Sequence, residues 1–122
     1  VNVIAEIMLT KALLPVMKKS PQASLIFTSS SVGRQGKAFW GEYSISKFAT
    51  EGMMQTLAHE YEGSNVRVNS INPGATRTSM RANAYPAENP QTLKAAEDIM
   101  AAYLYLMGND SADINGQQIN AQ

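Results

Sequence analysis

The sequence predicts an α/β fold built on a doubly wound parallel sheet. Two short apolar runs of strand type, at residues 23–28 and 66–71, alternate with long helical patterns. Each run ends in serine, glycine or proline punctuation, at Ser29–Gly36 and at Asn72–Gly74. A third short run lies at residues 117–120. The order helix, strand, helix, strand, helix, strand calls for right-handed crossovers and parallel neighbours. In such sheets ligands sit beyond the carboxyl ends of the strands, where both small-residue loops fall.

The elements follow in order. Residues 2 to about 18 favour helix; Val3, Ile4, Ile7, Met8, Leu13, Leu14 and Met17 leave little polar surface, which predicts a helix that is buried or lies in an interface. Pro15 is expected to kink or end it. Ser20-Pro21-Gln22 is a turn, and Ala23 to Thr28 is the first strand. The next helix spans about Gly41 to Tyr61. Ile45, Phe48, Ala49, Gly52, Met53, Thr56 and Leu57 recur at three and four and predict its packing face, with Gly63 as a left-handed cap. In the second strand Val66 and Val68 alternate with Arg67 and Asn69. Residues 75 to about 94 show breaks and no period, which reads as a loop or lid. A last helix from about Ala95 to Met107 and a strand at Gln117 to Asn120 complete the pattern.

Bulk properties narrow the function classes. At 122 residues the chain is one domain or part of one, long enough to bury roughly two-thirds of its unfolded surface. Ten basic and ten acidic residues cancel, with no basic stripe, so nucleic acid is not an expected partner. Cysteine is absent, which excludes disulfides and thiolate metal sites. No His/Asp/Glu cluster has ligand spacing, so no metal is expected. No apolar run approaches a membrane span, and nothing reads as a signal peptide. The expectation is a soluble, cytoplasmic chain. Val1 in place of Met suggests a reading frame that began upstream.

The sharpest chemical signal is Tyr43-Ser44-Ile45-Ser46-Lys47. Residues four apart share a helix face, so the phenol and the ammonium are neighbours. A free phenol titrates near ~10. A cation beside it in a site shielded from water favours phenolate, and a phenol so tuned can exchange protons near neutral pH. Tyr-x-x-x-Lys also recurs on helices as a plain surface contact, so the context decides. Ser30 stands thirteen residues before Tyr43, at the end of a strand and in a run that could equally be turn capping. Gly33 and Gly36 let that loop turn tightly toward a ligand. Pro73-Gly74 with Thr76 and Thr78 forms a third element, which could hold a flat polar ring or be an ordinary turn. A serine hydrolase is disfavoured, because no Gly-x-Ser-x-Gly elbow is present and the single histidine, His59, lies on the same helix as Tyr43.

Ser30 thirteen residues before Tyr43, Tyr43-x-x-x-Lys47, and Asn72-Pro73-Gly74 after Val66-Arg67-Val68-Asn69 together resemble the short-chain dehydrogenase/reductase family over essentially the whole chain. The stretches Phe27–Gly36 and Lys47–Gln55 resemble its YciK-like branch of bacterial oxidoreductases. The resemblance implies part of a Rossmann-type sheet, with about three strands and three main helices, and an enzyme moving hydride between NAD or NADP and a carbonyl or alcohol. It implies Tyr43 as general acid/base and Lys47 as the residue that favours its ionised form and binds the nicotinamide ribose. Ser30 would orient the substrate oxygen, and Asn2 would position a water in a proton relay through Lys47. Pro73, Gly74, Thr76 and Thr78 would line the nicotinamide end of the cofactor, beside a small-molecule substrate under a lid at residues 79–94.

The sequence departs from the family in one large respect. The glycine-rich phosphate-binding turn after a first strand is absent, as is the Asn-Asn-Ala-Gly segment. Residues 1–122 are therefore expected to be the carboxyl-terminal half of one such domain. The first strand should then lack a neighbour it would otherwise pair with, and the chain alone should bind the cofactor poorly. The family's two long helices pair across subunits, which implies a homo-oligomer through the helices at 2–18 and 41–62. The alternative is a non-catalytic piece acting only through such association.

Overall fold

The computed structural model describes all residues, Val1–Gln122. The helices are α1 (Asn2–Met17), α2 (Gly41–Glu60), α3 (Ser79–Ala84) and α4 (Met100–Met107), and the strands are β1 (Ala23–Thr28), β2 (Val66–Asn72) and β3 (Gln118–Asn120). The three strands form one sheet, parallel as the alternating pattern predicts, and their order in it is β1-β2-β3. β1 is an outer strand, and its only strand partner is β2.

The sheet is covered on both faces. Phe27, Val66 and Val68 meet Met54 and Ala58 of α2 in the core, with Leu14 and Met17 of α1 packed against them. On the opposite face α4 supplies the fully buried Leu106, and its end is tied to the sheet by polar bonds. Ser24 Oγ donates to the Leu106 carbonyl at 2.6 Å, and Arg67 Nη2 donates to the Gly108 carbonyl at 2.8 Å. Arg67 and Asn69 thus point into a covered face rather than into water, and residues 66–71 are all buried. That is how a central parallel strand behaves. β3 is short, so side chains complete the hydrogen bonding of β2: Val68 N–H donates to Asn115 Oδ1 at 2.9 Å, and Gln117 N–H to Asn69 Oδ1 at 3.0 Å.

The structure departs from several sequence expectations. α1 runs through Pro15 to Met17, because proline near the carboxyl end costs one backbone bond and the Lys18 N–H still reaches the Leu14 carbonyl at 2.9 Å. Of the two alternatives for α1, core or interface, burial in the core does not hold within this chain: Ile4, Met8, Leu9 and Val16 are all 60% or more exposed, and Thr10 is the one buried residue. On α2 the buried face is Ser44, Lys47, Thr50, Glu51, Met54 and Ala58, whereas Ile45 is 72% exposed. Residues 75–94 are not a bare loop. They hold α3, a 3-10 turn at Pro90–Thr92, and a parallel bridge between Thr76 and Lys94. The last helix begins as a 3-10 turn at Ala96–Ile99 before α4.

The register fixes the functional edge. Thr28 pairs with Ile71, and the Ser29 N–H reaches the Ile71 carbonyl at 2.7 Å. β1 and β2 therefore end level, and the loops that follow them leave side by side. Gly63 at φ 74 supplies the expected left-handed residue after α2. Met54 is fully buried between the sheet and α1. Met54→Ala should lower the unfolding free energy by about 2–5 kcal/mol. Met100→Ala, at a side chain 38% exposed, should stay within about 0.5 kcal/mol. Equal midpoints for the two variants in urea titration would contradict the core assignment.

Candidate active site at the carboxyl ends of the strands

The loop after β1 begins at Ser29 and Ser30 and coils into a 3-10 turn at Ser31–Gly33. Ser30 caps that turn, its Oγ accepting from the Val32 N–H at 3.4 Å. The turn lies directly on α2. Ser44 Oγ donates to the Val32 carbonyl at 2.7 Å. A Cβ at Gly33 would sit 2.7 Å from the Lys47 carbonyl oxygen and 2.9 Å from the Lys47 Cβ, so only glycine allows this approach. The helix bearing Tyr43 and Lys47 is thereby pressed onto the loop bearing Ser30.

Lys47 is buried, and its Nζ donates to the Thr28 carbonyl, the last of β1, at 2.9 Å. The same Nζ stands 5.9 Å from the centroid of the Tyr43 ring. An ammonium has three donors, and one of them is used by the protein here. The others are available to a ligand or water in a partly shielded site. Ser29 Oγ is buried without a partner.

The loop after β2 is set by a glycine and a glutamine. Gly74 has φ 74, and its N–H bonds Asn72 Oδ1 at 3.1 Å. Gln122 Nε2 donates to the carbonyls of Pro73 at 2.8 Å and Ala75 at 2.9 Å, and a Cβ on Gly74 would collide with it at 2.7 Å. Thr76 Oγ1 donates to the Gly74 carbonyl at 3.2 Å, and Thr78 Oγ1 accepts from the Arg81 N–H at 3.1 Å as the cap of α3. Each hydroxyl keeps hydrogen-bonding capacity for a ligand.

These segments enclose a cavity of about 530 Å³. Ser30, Tyr43, Pro73, Gly74, Thr76 and Thr78 all line it, so six of the eight residues singled out from the sequence share one cleft. Lys47 is not on its wall but beside Tyr43. Asn2 is elsewhere: exposed at the start of α1, its Nδ2 lies 3.4 Å from Ser46 Oγ, in a neighbouring groove that Tyr43 also lines.

The remaining wall was only partly foreseen. Met80, Arg81 and Tyr85 of the expected lid line the cavity. Trp40 and Lys37 line it and carried no signal in the sequence, because neither belongs to a periodic pattern. Trp40 stacks on Tyr85 at 5.7 Å between centroids and meets Tyr43 at 5.8 Å. Arg81 lies 3.9 Å over the Tyr85 ring and grips Glu88 through two bonds of 2.8 and 2.9 Å. The hydrogen bonds from Arg81 hold the Glu88 carboxyl below the usual carboxylate range, and Glu88 in turn raises the Arg81 guanidinium. No helix of the structure is long and apolar enough to cross a membrane.

Comparison with known proteins agrees with this architecture. The short chain dehydrogenase family model matches residues 1–89. YciK, an oxidoreductase of Escherichia coli K12, is 62% identical over all 122 residues, which cover 48% of its length. A 3alpha-hydroxysteroid dehydrogenase of Mediterraneibacter gnavus is 34% identical over 95% of the chain and 50% of its own length. The chain thus spans about half the length of the curated relatives it matches. Among solved structures, a short chain dehydrogenase from Pseudomonas syringae superposes with a TM-score of 0.98 at 68% identity, covering the whole chain and 50% of that protein. One from E. coli CFT073, complexed with NADPH, does so with a TM-score of 0.97 at 62% identity, again over the whole chain and 50% of its own. The serine, tyrosine and lysine spacing, the parallel sheet and these matches converge: the chain belongs to the short-chain dehydrogenase family.

Proposed function

We propose that this chain is the catalytic, carboxyl-terminal half of a longer NAD(P)-dependent oxidoreductase that interconverts a carbonyl and an alcohol. The observation that carries this reading is Lys47, a buried ammonium fixed on the Thr28 carbonyl beside Tyr43, whose ring lines the same cleft as Ser30. The half-length match to relatives supports the longer protein. The NADPH-bound structure at 62% identity favours NADP(H) as the cofactor.

The residues present fit the nicotinamide end of such a cofactor. Lys47 has unused donors for ribose hydroxyls, and Thr76 and Thr78 offer hydroxyls beside the Pro73-Gly74 turn. When bound, the nicotinamide supplies or accepts hydride at the substrate carbon. In the reducing direction Tyr43 gives its phenolic proton to the carbonyl oxygen, and Ser30 Oγ–H holds that oxygen in place. The Lys47 ammonium stabilises the phenolate that remains. Asn2 stands beside Ser46 in the groove behind Tyr43, and a water held there would return the proton. In the full protein the uncovered apolar residues of α1, with Ile45 and Phe48 of α2, would pack against a second subunit. A hydrophobic surface of this kind is otherwise a liability in water.

One outcome tests this reading directly, and two others test the loop and lid that frame the site. In the full-length protein Tyr43→Phe should lower kcat by about 10²–10⁴-fold, the usual weight of a positioned acid/base, with the dissociation constant for NADPH nearly unchanged. Retained turnover would remove Tyr43 from the chemistry. Gly33→Ala should destabilise the fold by about 1–3 kcal/mol through overpacking against Lys47 and reduce turnover with it. Gly36→Ala, whose nearest neighbour would be 4.0 Å away, should do neither, and similar losses in both would refute the close-approach argument. The third outcome concerns pH. Because the folded pKa of Glu88 is depressed, its contribution to the ordering of residues 79–88 is complete above the ordinary Glu value near ~4.3 and is lost as pH falls through the lower folded value. Amide protection in that segment, corrected for intrinsic rates, should fall over that acid range and become pH-independent there in Glu88→Gln.

A further inference from the structure

The substrate class can be read from the wall of the cleft beyond Tyr43, granted the oxidoreductase reading above. That wall carries two cations, Lys37 and Arg81, and no aspartate or glutamate lines the cavity anywhere. The two cations are not equivalent. Arg81 is neutralised by Glu88, whereas Lys37 forms no ion pair; the two salt bridges of the structure are Arg34–Glu51 and Arg81–Glu88. Lys37 Nζ is instead placed by aromatic groups. It donates to Tyr85 Oη at 3.3 Å and stands 5.8 Å from the Trp40 centroid and 5.9 Å from that of Tyr85. Trp40 neighbours both Lys37 and Tyr43. Tyr43, Trp40 and Lys37 thus bring a proton donor, an aromatic ring and an unpaired positive charge to one cleft.

We propose that the substrate is a carbonyl compound bearing an anionic group remote from the reacting carbon. Its body lies against the aromatic wall that Trp40 and Tyr43 contribute to the cleft, and its anion is held by Lys37. Lys37 is exposed at the rim of the cleft, so its attraction for an anion is charge-assisted and is weakened by salt. A neutral ligand of the same shape would stack equally well but gain nothing from Lys37. The ammonium and the rings that place it come from two separate segments, residues 37–40 and 81–85, so the subsite exists only when the lid segment lies over the loop before α2.

Trp40 is the one tryptophan of the chain, so its emission reports on this wall directly. The probes are 4-carboxybenzaldehyde and its neutral methyl ester, titrated into the full-length protein, with free tryptophan correcting for absorbance and Trp40→Phe isolating the Trp40 signal. The acid should quench with a dissociation constant roughly tenfold lower than the ester at low ionic strength. That gap should close in Lys37→Gln and in high salt, and persist in Lys11→Gln, a charge change on α1. Equal affinities for acid and ester, or no quenching by either while the helical circular dichroism is intact, would overturn the proposal. Inorganic pyrophosphate is the second arm. If it displaces the acid in a Lys37-dependent way with higher affinity, the cation serves cofactor phosphates and the substrate assignment fails. In the full-length protein the two readings separate. Turnover without preference for the acid defeats this inference alone, and acid-selective quenching without Tyr43-dependent turnover defeats the oxidoreductase reading alone.

Discussion

The hydrogen bond from Lys47 Nζ to the Thr28 carbonyl does more than satisfy a buried charge. It joins the middle of α2 to the last residue of β1, at the level where β1 and β2 both end. A buried ammonium without an acceptor would cost several kcal/mol, so the bond holds the helix in this position along the strand. Tyr43, four residues earlier on α2, then stands over the cleft, and Ser30 follows two residues after Thr28. Gly33 permits the arrangement, because any side chain there would drive the loop off Lys47. Helix, loop and strand end thereby constrain one another.

The buried face of α2 is polar for a related reason. Ser44 bonds the 3-10 turn, Lys47 bonds β1, and Thr50 donates to Glu6 of α1 at 2.8 Å. Glu51 accepts from Ser70 of β2 at 2.8 Å and Gln118 of β3 at 3.1 Å, and pairs with Arg34 at 3.4 Å. Arg34 in turn donates to Asn120 Oδ1 at 2.8 Å. The upper half of the helix is therefore fastened by directional bonds to the loop, to all three strands and to α1. The lower half, at Met54 and Ala58, is packed by apolar contact. Directional bonds specify position more sharply than apolar burial does, and they lie at the end of the helix that carries the chemistry.

The lid is held differently. Thr78 caps α3, the Thr76–Lys94 bridge closes the segment, and the Arg81–Glu88 pair clasps it from within. Its contact with the rest of the site runs through aromatic faces, Tyr85 on Trp40, with both members of the clasp partly exposed. Exposed ion pairs contribute little to stability and are screened by salt. A segment so held can yield to a ligand at low cost, as an element covering a cleft must.

The sequence alone determined the parallel sense of the strands, the left-handed residue after α2 and the placement of the loops after β1 and β2 on one edge. These follow from local periodicity, from turn chemistry at fixed offsets and from motif spacing, all of which are written in consecutive residues. It misjudged which side of α2 is buried, because periodicity reports apolar residues without saying what covers them. Ile45 and the outer residues of α1 are apolar and uncovered in this chain, while Lys47 and Glu51 are charged and buried against partners distant in sequence. Pairings such as Glu51–Ser70, Gln122–Pro73 and Lys37–Tyr85 were left to the tertiary structure for the same reason. They join residues between 19 and 49 positions apart, so no local pattern records them, and only the folded sheet brings them within reach.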